Sequence, residues 1–279
     1  MRLFLLTTLT MVAFAANSVL TRAGVAEGGL DPMWFGVIRL AAGAVTLAGL
    51  TFVLRGHLQF SGAGRVAGVI GLLLYIFGFS LAYTALDAGM GALILFGTVQ
   101  ITMFAGAFLA REQTPLLRYF GAALAFGGLV WLLWPQSGAT DIDGAEWFMA
   151  AAGVGWGIYS LAGRKATDAL SGTAANFVIA VPIAVVFVAA LPVVEPPSFE
   201  WGGVWLAVIS GSVTSGLGYA LWYSVLPRLQ GTIAAVAQLT VPVIAMAGGL
   251  VILGEPLSLD FVIAAAVVLG GVGVSLIKR

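Results

Sequence analysis

Two apolar segments of the chain carry polar and aromatic side chains at regular helical spacing. Each segment has three of them at intervals of four residues: Tyr75, Phe79 and Tyr83, then Ser215, Tyr219 and Tyr223. Residues four apart lie on one face of an α-helix. Aromatic faces hold apolar groups, and hydroxyl groups form hydrogen bonds with amino or carboxylate groups. The spacing therefore predicts two helix faces that contact a small solute.

Further polar and aromatic residues in apolar segments extend this candidate solute-binding surface: Asn17, Thr98, Gln100, Trp156, Tyr159 and Gln238. The two glutamines favour a shared cavity most, because a buried amide needs several hydrogen-bond partners. Two other interpretations stay open. Tyr83 and Tyr223 are also typical of residues that anchor a helix at the membrane surface. Thr98 and Ser215 are typical of hydroxyl residues that bond their own helix backbone.

Arg39 is the charged residue that lies clearly within an apolar segment. A charge inside a bilayer is costly, so each one is a candidate functional residue. We favour a structural role, in which the Arg39 guanidinium binds backbone carbonyls or Asp31. Pro242, in the middle of another apolar segment, interrupts backbone hydrogen bonding and is a candidate hinge.

The scarcity of ionisable groups at mid-depth excludes several kinds of chemistry. No Asp, Glu, Lys or His lies there, which disfavours cationic substrates, obligatory proton antiport and a catalytic cluster. One arginine is too few for phosphorylated substrates, and the chain has no P-loop motif for ATP hydrolysis. With no cysteine and a single His57, we expect no metal and no cofactor. The chain is therefore predicted not to be an enzyme.

The composition places these residues in a membrane. A mean hydropathy of +1.07, with 61% hydrophobic and 9% charged residues, lies far outside the range of soluble proteins. Breakers and charges divide the chain into ten apolar segments long enough to span a bilayer: 3–21, 32–54, 66–86, 89–110, 116–134, 145–162, 172–192, 202–226, 231–252 and 258–277. The first segment resembles a secretory signal, but we favour a transmembrane helix. The predicted fold class is an all-α polytopic membrane protein with ten transmembrane helices.

The distribution of charge orients these segments. If the N-terminus is cytoplasmic, ten of the twelve cations fall in cytoplasmic segments and one, Arg22, falls outside. With the same orientation, ten of the twelve acidic residues fall outside. Positively charged loops of membrane proteins face the cytoplasm. Both termini are therefore predicted to be cytoplasmic.

The chain also repeats itself. Residues 78–86 and 218–226 share a pattern of glycine, aromatic and small residues at a distance of 140 residues. The repeat predicts a first five-helix unit at 1–138 and a second at 139–279. Because five is odd, the second unit must be inverted in the membrane relative to the first, an arrangement found in many secondary transporters.

Several motifs carry a resemblance to a known family. Arg39 lies in the second segment, and the stretch Leu253-Gly254-Glu255-Pro256 follows the ninth, whereas the first half has Ala110-Arg111-Glu112 at the corresponding point. A twice-repeated five-helix unit with these features resembles the drug/metabolite transporter superfamily, in particular its ten-helix EamA-type members. Within it, the chain is most similar to YddG-type exporters of aromatic and other neutral amino acids. The first four helices of each unit are expected to surround a central cavity, with the fifth packed outside.

These expectations combine into one functional hypothesis. The chain is predicted to be a facilitative secondary transporter of a bacterial inner membrane. It would export small neutral or zwitterionic solutes, above all amino acids, by alternating access through the central cavity. The alternatives are export of another small neutral metabolite or drug, a channel, or a membrane scaffold. Beyond the solute and the lipid bilayer we expect no partner, neither nucleic acid nor an ATPase subunit. The oligomeric state is left open, and a monomer is compatible with the sequence.

Overall fold

The computed structural model describes ten helical segments, numbered here in chain order: α1 Arg2–Glu27, α2 Pro32–Arg55, α3 Arg65–Ala82, α4 Ala88–Leu109, α5 Leu116–Leu133, α6 Ala145–Gly163, α7 Ala169–Ala189, α8 Trp201–Val225, α9 Thr240–Leu253 and α10 Leu259–Ser275. The structure describes residues 1–111, 116–133, 144–163, 168–192, 196–225, 228–229, 237–238 and 240–275. Within these residues the extended structure is limited to one isolated bridge between Leu30 and Phe199. The prediction of an all-α protein is confirmed.

Six of the described helices, α1 to α4, α7 and α8, are long and apolar enough to cross a membrane. Shorter apolar helices occur in α5, α9 and α10. The protein is therefore a polytopic membrane protein, as predicted. The bounds of α2, α4 and α6 agree with the predicted segments to within one residue at each end. The third segment ends earlier than predicted, at Ala82, because the chain turns there, so Tyr83 follows the helix that carries Tyr75 and Phe79.

Polar side chains define where two of the helices begin. Asp31 precedes α2, and its Oδ1 accepts hydrogen bonds from the backbone N–H groups of Met33 and Trp34 at 2.9 and 3.0 Å. Asp168 precedes α7 and accepts from the next two free N–H groups in the same way. These contacts satisfy donors that have no partner within the helix. At its other end α2 ends at Gly56, whose φ of 77° is left-handed and favours glycine.

Three of the helices contain π-helical segments. These lie at the end of α1 (Ala23–Glu27), in the middle of α8 (Ser210–Leu217) and at the end of α9 (Gly249–Leu253). A π-helical turn adds a residue to the turn, and it occurs frequently at functional sites. The segment within α8 contains five glycine or serine residues in its first three and last three positions, which are weak helix formers. It carries the serine and threonine side chains that face the centre of the bundle.

The helices of both halves pack around a common centre. Helix α1 contacts α4, α8 and α9, while α6 contacts α3 and α4. Helix α2 contacts α3, α7 and α8. Outside this group, α5 and α10 pack against each other and against α4. The centre of the bundle is therefore formed by residues that are far apart in the sequence.

Glycine allows the closest of these approaches, between α3 and α6. A Cβ atom on Gly71 would lie 2.7 Å from the carbonyl oxygen of Gly155, and a Cβ atom on Gly155 would lie 2.7 Å from that of Gly71. Small residues allow helix backbones to approach in membranes, where packing rather than hydrophobic burial drives association. This contact fixes Tyr75 of α3 beside Trp156 of α6.

Candidate functional site

Seven of the predicted residues lie together in the middle of the bundle. We call them the central cluster: Asn17, Arg39, Tyr75, Phe79, Trp156, Ser215 and Tyr219. All are buried except Trp156, which is half-buried. They come from α1, α2, α3, α6 and α8. The fold thus brings together Tyr75 and Phe79 of one predicted face with Ser215 and Tyr219 of the other, whereas Tyr83 and Tyr223 lie elsewhere.

Aromatic rings form one side of the central cluster. The ring centroid of Trp156 lies 4.9 Å from that of Tyr75 and 5.1 Å from that of Tyr219. Trp156 also stacks on Tyr159 at 5.2 Å, with an angle of 19° between the rings. On α3, the rings of Tyr75 and Phe79 are 5.2 Å apart. Tilted and offset contacts of this kind are favourable between aromatic rings, so the rings form a continuous layer.

The guanidinium of Arg39 lies against this layer. Its Nε donates to Ser215 Oγ at 3.2 Å, and its Nη2 donates to Tyr75 Oη at 2.7 Å. Its Cζ lies 5.0 Å from the centroid of the Tyr75 ring and 4.8 Å from that of the Phe79 ring, within the range of cation–π interaction. The expected partners, backbone carbonyls or Asp31, are not those that the guanidinium binds. Asp31 lies at the start of α2 and caps that helix instead.

Asn17 connects three helices at the cluster. Its Nδ2 donates to Tyr75 Oη at 3.2 Å, and its Oδ1 accepts from Ser210 Oγ at 2.6 Å and Thr214 Oγ1 at 3.0 Å. Ser210 and Thr214, which lie on the π-helical segment of α8, were not predicted from the sequence. Their signal was the run of small polar residues at 210–215 inside an otherwise apolar segment.

A cavity of about 260 Å³ opens at the end of the bundle that carries the loop between α2 and α3. We call it the vestibule. Tyr159 and Tyr223 line it, and Tyr159 Oη donates to Thr173 Oγ1 at 3.1 Å. Because Tyr159 also stacks on Trp156, the aromatic layer separates the vestibule from Arg39. The vestibule therefore ends at Tyr159, whose ring stacks on Trp156 of the central cluster.

A second arginine, Arg65, lines the vestibule and binds the loop between α2 and α3. Its Nη1 donates to Asn176 Oδ1 and to the carbonyl oxygen of Gly172, both at 2.6 Å. Its Nε and Nη2 donate to the carbonyl oxygens of Phe60 and Gln59, both at 3.0 Å. Every nitrogen of this guanidinium has an acceptor in the protein. Arg65 is therefore a structural residue of the loop.

The opposite end of the bundle is held closed by charged groups, which we call the latch. Glu255 accepts two hydrogen bonds from the backbone N–H of Ala88, at 3.0 and 2.9 Å, where α4 begins. Arg22 Nε lies 3.6 Å from Glu255 Oε1. Arg22 Nη1 donates to the carbonyl oxygens of Tyr83 and Thr84 at 3.0 and 2.9 Å. The latch thus joins α1, the turn after α3, the start of α4 and the loop after α9.

The electrostatics of the latch are dominated by burial. Burial raises the pKa of the Glu255 carboxyl above its usual range, and the Ala88 N–H and Arg22 oppose this rise. The nearby acids Asp87 and Glu27 add to it. Burial of the ionised Glu255 carboxylate therefore costs free energy, which the contacts with Ala88 and Arg22 only partly offset.

The remaining predicted residues lie outside the central cluster. The side chain of Thr98 packs against α6, where its Cβ atom would lie 2.6 Å from a Cβ atom added to Gly153. Gln100 and Gln238 are half-buried, and no hydrogen bond joins either side chain to another described residue. Pro242 is buried in the first turn of the described part of α9.

Two tyrosines take different positions at the two ends of the bundle. Tyr83 is fully buried under the latch, where its Oη donates to the carbonyl oxygen of Ala88 at 3.2 Å. Tyr223 is half-buried at the vestibule. Both lie at the edges of the bundle interior, one on each side of the central cluster.

Comparison with known proteins gives the family. The sequence model of the EamA-like transporter family matches residues 144–277, which contain α6 to α10. An uncharacterized protein of Pseudomonas aeruginosa is 40% identical over 278 residues, which are 100% of this chain and 96% of the relative. The uncharacterized transporter YoaV of Bacillus subtilis is 23% identical over 254 residues, 87% of this chain and 86% of the relative. A protein crystal structure shares the fold, with a TM-score of 0.64 and 21% identity, over 98% of this chain and 96% of that one. The chain therefore belongs to the EamA-like transporter family, within the drug/metabolite transporter superfamily.

Proposed function

We propose that the protein exports small neutral or zwitterionic solutes, above all aromatic and other neutral amino acids, by alternating access through the central cluster. The observation that carries this proposal is the position of the cluster. It lies between a vestibule that is open at one end of the bundle and a latch that closes the other. A carrier needs a solute site that faces one side of the membrane at a time.

The chemistry of the central cluster favours a small solute with an apolar part. The vestibule volume of about 260 Å³ lies below the range of pockets for drug-sized ligands, roughly 300–1,000 Å³. Rings of Tyr75, Trp156 and Tyr219 offer apolar faces, and Asn17 and Ser215 offer amide and hydroxyl groups. An aromatic or aliphatic amino acid has both an apolar side chain for the rings and polar groups for the amide and hydroxyl.

The packing supports two inverted five-helix units. If α6 to α10 repeat α1 to α5, the contact between α1 and α8 corresponds to that between α6 and α3. On the same basis the contact between α1 and α9 corresponds to that between α6 and α4, and α2 with α8 corresponds to α7 with α3. Each contact occurs together with its counterpart, as expected for two units related by a two-fold axis.

The orientation follows from the charges. Arg55, Arg65 and Asp168 lie at the vestibule end, whereas Arg22 and Glu255 lie at the latch end. With the cation-rich loops and both termini in the cytoplasm, the vestibule faces the cytoplasm and the latch faces outward. The structure then corresponds to an inward-facing state of a carrier in a bacterial inner membrane.

Counterflow in proteoliposomes tests the proposal. Vesicles preloaded with an unlabelled amino acid are diluted into the labelled one, with and without an imposed proton gradient. We expect accelerated uptake of aromatic and neutral amino acids that does not depend on the gradient. Uptake with no acceleration by the internal solute would indicate a channel. The absence of uptake for every amino acid would reject the substrate and turn the search to other small neutral metabolites. Accumulation driven by the gradient would reject facilitative transport.

A further inference from the structure

The central cluster contains a buried cationic nitrogen without a partner. Arg39 is 0% exposed. Two of its three nitrogens donate to Ser215 and Tyr75, but Nη1 has no hydrogen-bond partner among the described residues. Buried donors without partners are rare in proteins, and each one requires an explanation. An arginine guanidinium keeps its charge, so the unpaired nitrogen is also part of an unpaired charge.

Among the described residues this charge has no counter-ion. The ion pairs of the described residues are Arg22 with Glu255 and Arg55 with Asp168, each at one end of the bundle. The only acidic residue of α2 and its flanks is Asp31, eight residues before Arg39, or roughly 12 Å along the helix. A buried charge is normally paired, so an anionic group from elsewhere would complete this site.

The geometry around Nη1 is that of a prepared site. The rings of Tyr75 and Phe79 hold the plane of the guanidinium. Tyr75 is itself held by Asn17, which is held in turn by Ser210 and Thr214. This contrasts with the vestibule arginine, Arg65, whose nitrogens all have acceptors in the protein. Arg39 is therefore held by two hydrogen bonds and two aromatic rings, with one nitrogen left without an acceptor.

We propose that Nη1 of Arg39 binds the carboxylate of the transported solute, so that the protein selects small monocarboxylates whether or not they carry an amino group. The inference rests on the proposed transport of amino acids and names the group that is recognised. Guanidinium and carboxylate form charge-assisted hydrogen bonds of matching geometry. A carboxylate that enters from the vestibule reaches Nη1 when Trp156 and Tyr159 move aside, and the solute's apolar part then contacts the rings. In the structure described here this aromatic layer is closed.

The test compares three ligands that differ in one group each. L-phenylalanine, 3-phenylpropionate, which lacks the amino group, and L-phenylalaninamide, which lacks the carboxylate, are titrated calorimetrically into the purified full chain in nanodiscs. We expect the first two to bind with Kd values within about tenfold of each other. The loss of a hydrogen bond to a charged group weakens binding by about 10- to 100-fold, so we expect the amide to bind weaker by that factor.

Substitution of the arginine supplies the second arm. Arg39→Gln should weaken both carboxylates by about 10- to 100-fold and leave the amide unchanged, so that the three ligands bind alike. Arg55→Gln, the same change at the exposed vestibule end, should leave all three Kd values unchanged. Arg39→Lys keeps the positive charge and should keep part of the preference for carboxylates over the amide. This variant tests the proposal if Arg39→Gln does not fold. A purely structural arginine would lower stability without changing the preference.

The outcomes separate this inference from the transport proposal. Binding of 3-phenylpropionate that depends on Arg39, without counterflow of any amino acid, would reject amino-acid export and uphold the carboxylate site. Counterflow of amino acids together with equal binding of phenylalanine and its amide would uphold export and overturn the carboxylate site. Absence of binding by both carboxylates in the parent would also overturn it.

Discussion

Removal of Arg22 should open the latch end of the bundle. The change is Arg22→Gln in a chain that also carries Ser18→Cys. Ser18 is 1% exposed and lies one helical turn below Arg22 on α1. The natural chain has no cysteine, so this thiol is the only one that a maleimide can modify. Its rate of modification therefore measures how often the latch end opens.

The contacts of Arg22 give the size of the effect. Its Nη1 donates to two carbonyl oxygens at 3.0 and 2.9 Å, and its Nε lies 3.6 Å from Glu255. Hydrogen bonds from charged groups contribute roughly 1.5–3 kcal/mol, and exposed ion pairs roughly 0.2–1 kcal/mol. Because one nitrogen serves both carbonyls and the Arg22 side chain is 19% exposed, we take the lower part of this range. A loss of about 2 kcal/mol raises the open fraction about 30-fold.

The assay is the rate of maleimide modification of purified protein in detergent. When reclosing is faster than modification, the rate follows the open population, so we expect modification of Ser18→Cys to be about 30-fold faster in Arg22→Gln. Arg55→Gln is the matched control, because it breaks the 3.0 Å ion pair with Asp168 at the vestibule end and should leave the rate unchanged. Equal rates in Arg22→Gln and its parent would refute the assignment of Arg22 to the latch.

Three further predictions concern the latch, the contact between α3 and α6, and the orientation of the chain in the membrane. Burial raises the pKa of Glu255 when the latch is closed, so protons favour closure. The rate of maleimide modification of Ser18→Cys, divided by that of Ser61→Cys at the same pH, should fall as the pH is lowered towards the usual pKa of a glutamate. Glu255→Gln should remove this pH dependence. Gly71→Ala would place a Cβ atom 2.7 Å from a carbonyl oxygen and should lower the stability measured by thermal unfolding by about 1–3 kcal/mol. In Gly127→Ala the added Cβ atom would meet no atom within 4 Å, so this variant should not lower the stability. In right-side-out vesicles an impermeant maleimide should modify Gly202→Cys but not Ser61→Cys, and the reverse would contradict the proposed orientation.

The positions of the helices along the chain were largely predictable from the sequence. Apolar length, breakers and charges gave the bounds of α2, α4 and α6 to within one residue, because these signals are local. The four-residue spacing likewise predicted that Tyr75, Phe79 and Tyr219 face the centre. It did not predict that Tyr83 and Tyr223 lie at opposite ends of the bundle interior. Arg39 was identified as the charged residue inside a helix, since it stands alone in an apolar stretch.

The partners of these residues could not be predicted in the same way. Arg39 binds Ser215, which lies 176 positions away, and no local signal identifies such a pair. The roles of Ser210 and Thr214 depend on the π-helical register of α8, which changes the face that each residue occupies. The latch was missed for a similar reason. Arg22 and Glu255 were assigned to the same side of the membrane, but only the packing of α1 beside α9 brings them together.

Counterflow by a variant of the central cluster tests the account most directly. Trp156 contacts Tyr75, Tyr159 and Tyr219, whereas Trp205 is 62% exposed on the outer face of α8. In proteoliposomes with matched protein content and unfolding temperature, Trp156→Ala should reduce the initial rate of phenylalanine counterflow by at least about tenfold, as expected for the loss of roughly 1.4 kcal/mol of solute contact. Trp205→Ala should transport at the parental rate. Parental counterflow by Trp156→Ala would contradict the claim that the solute passes through the central cluster.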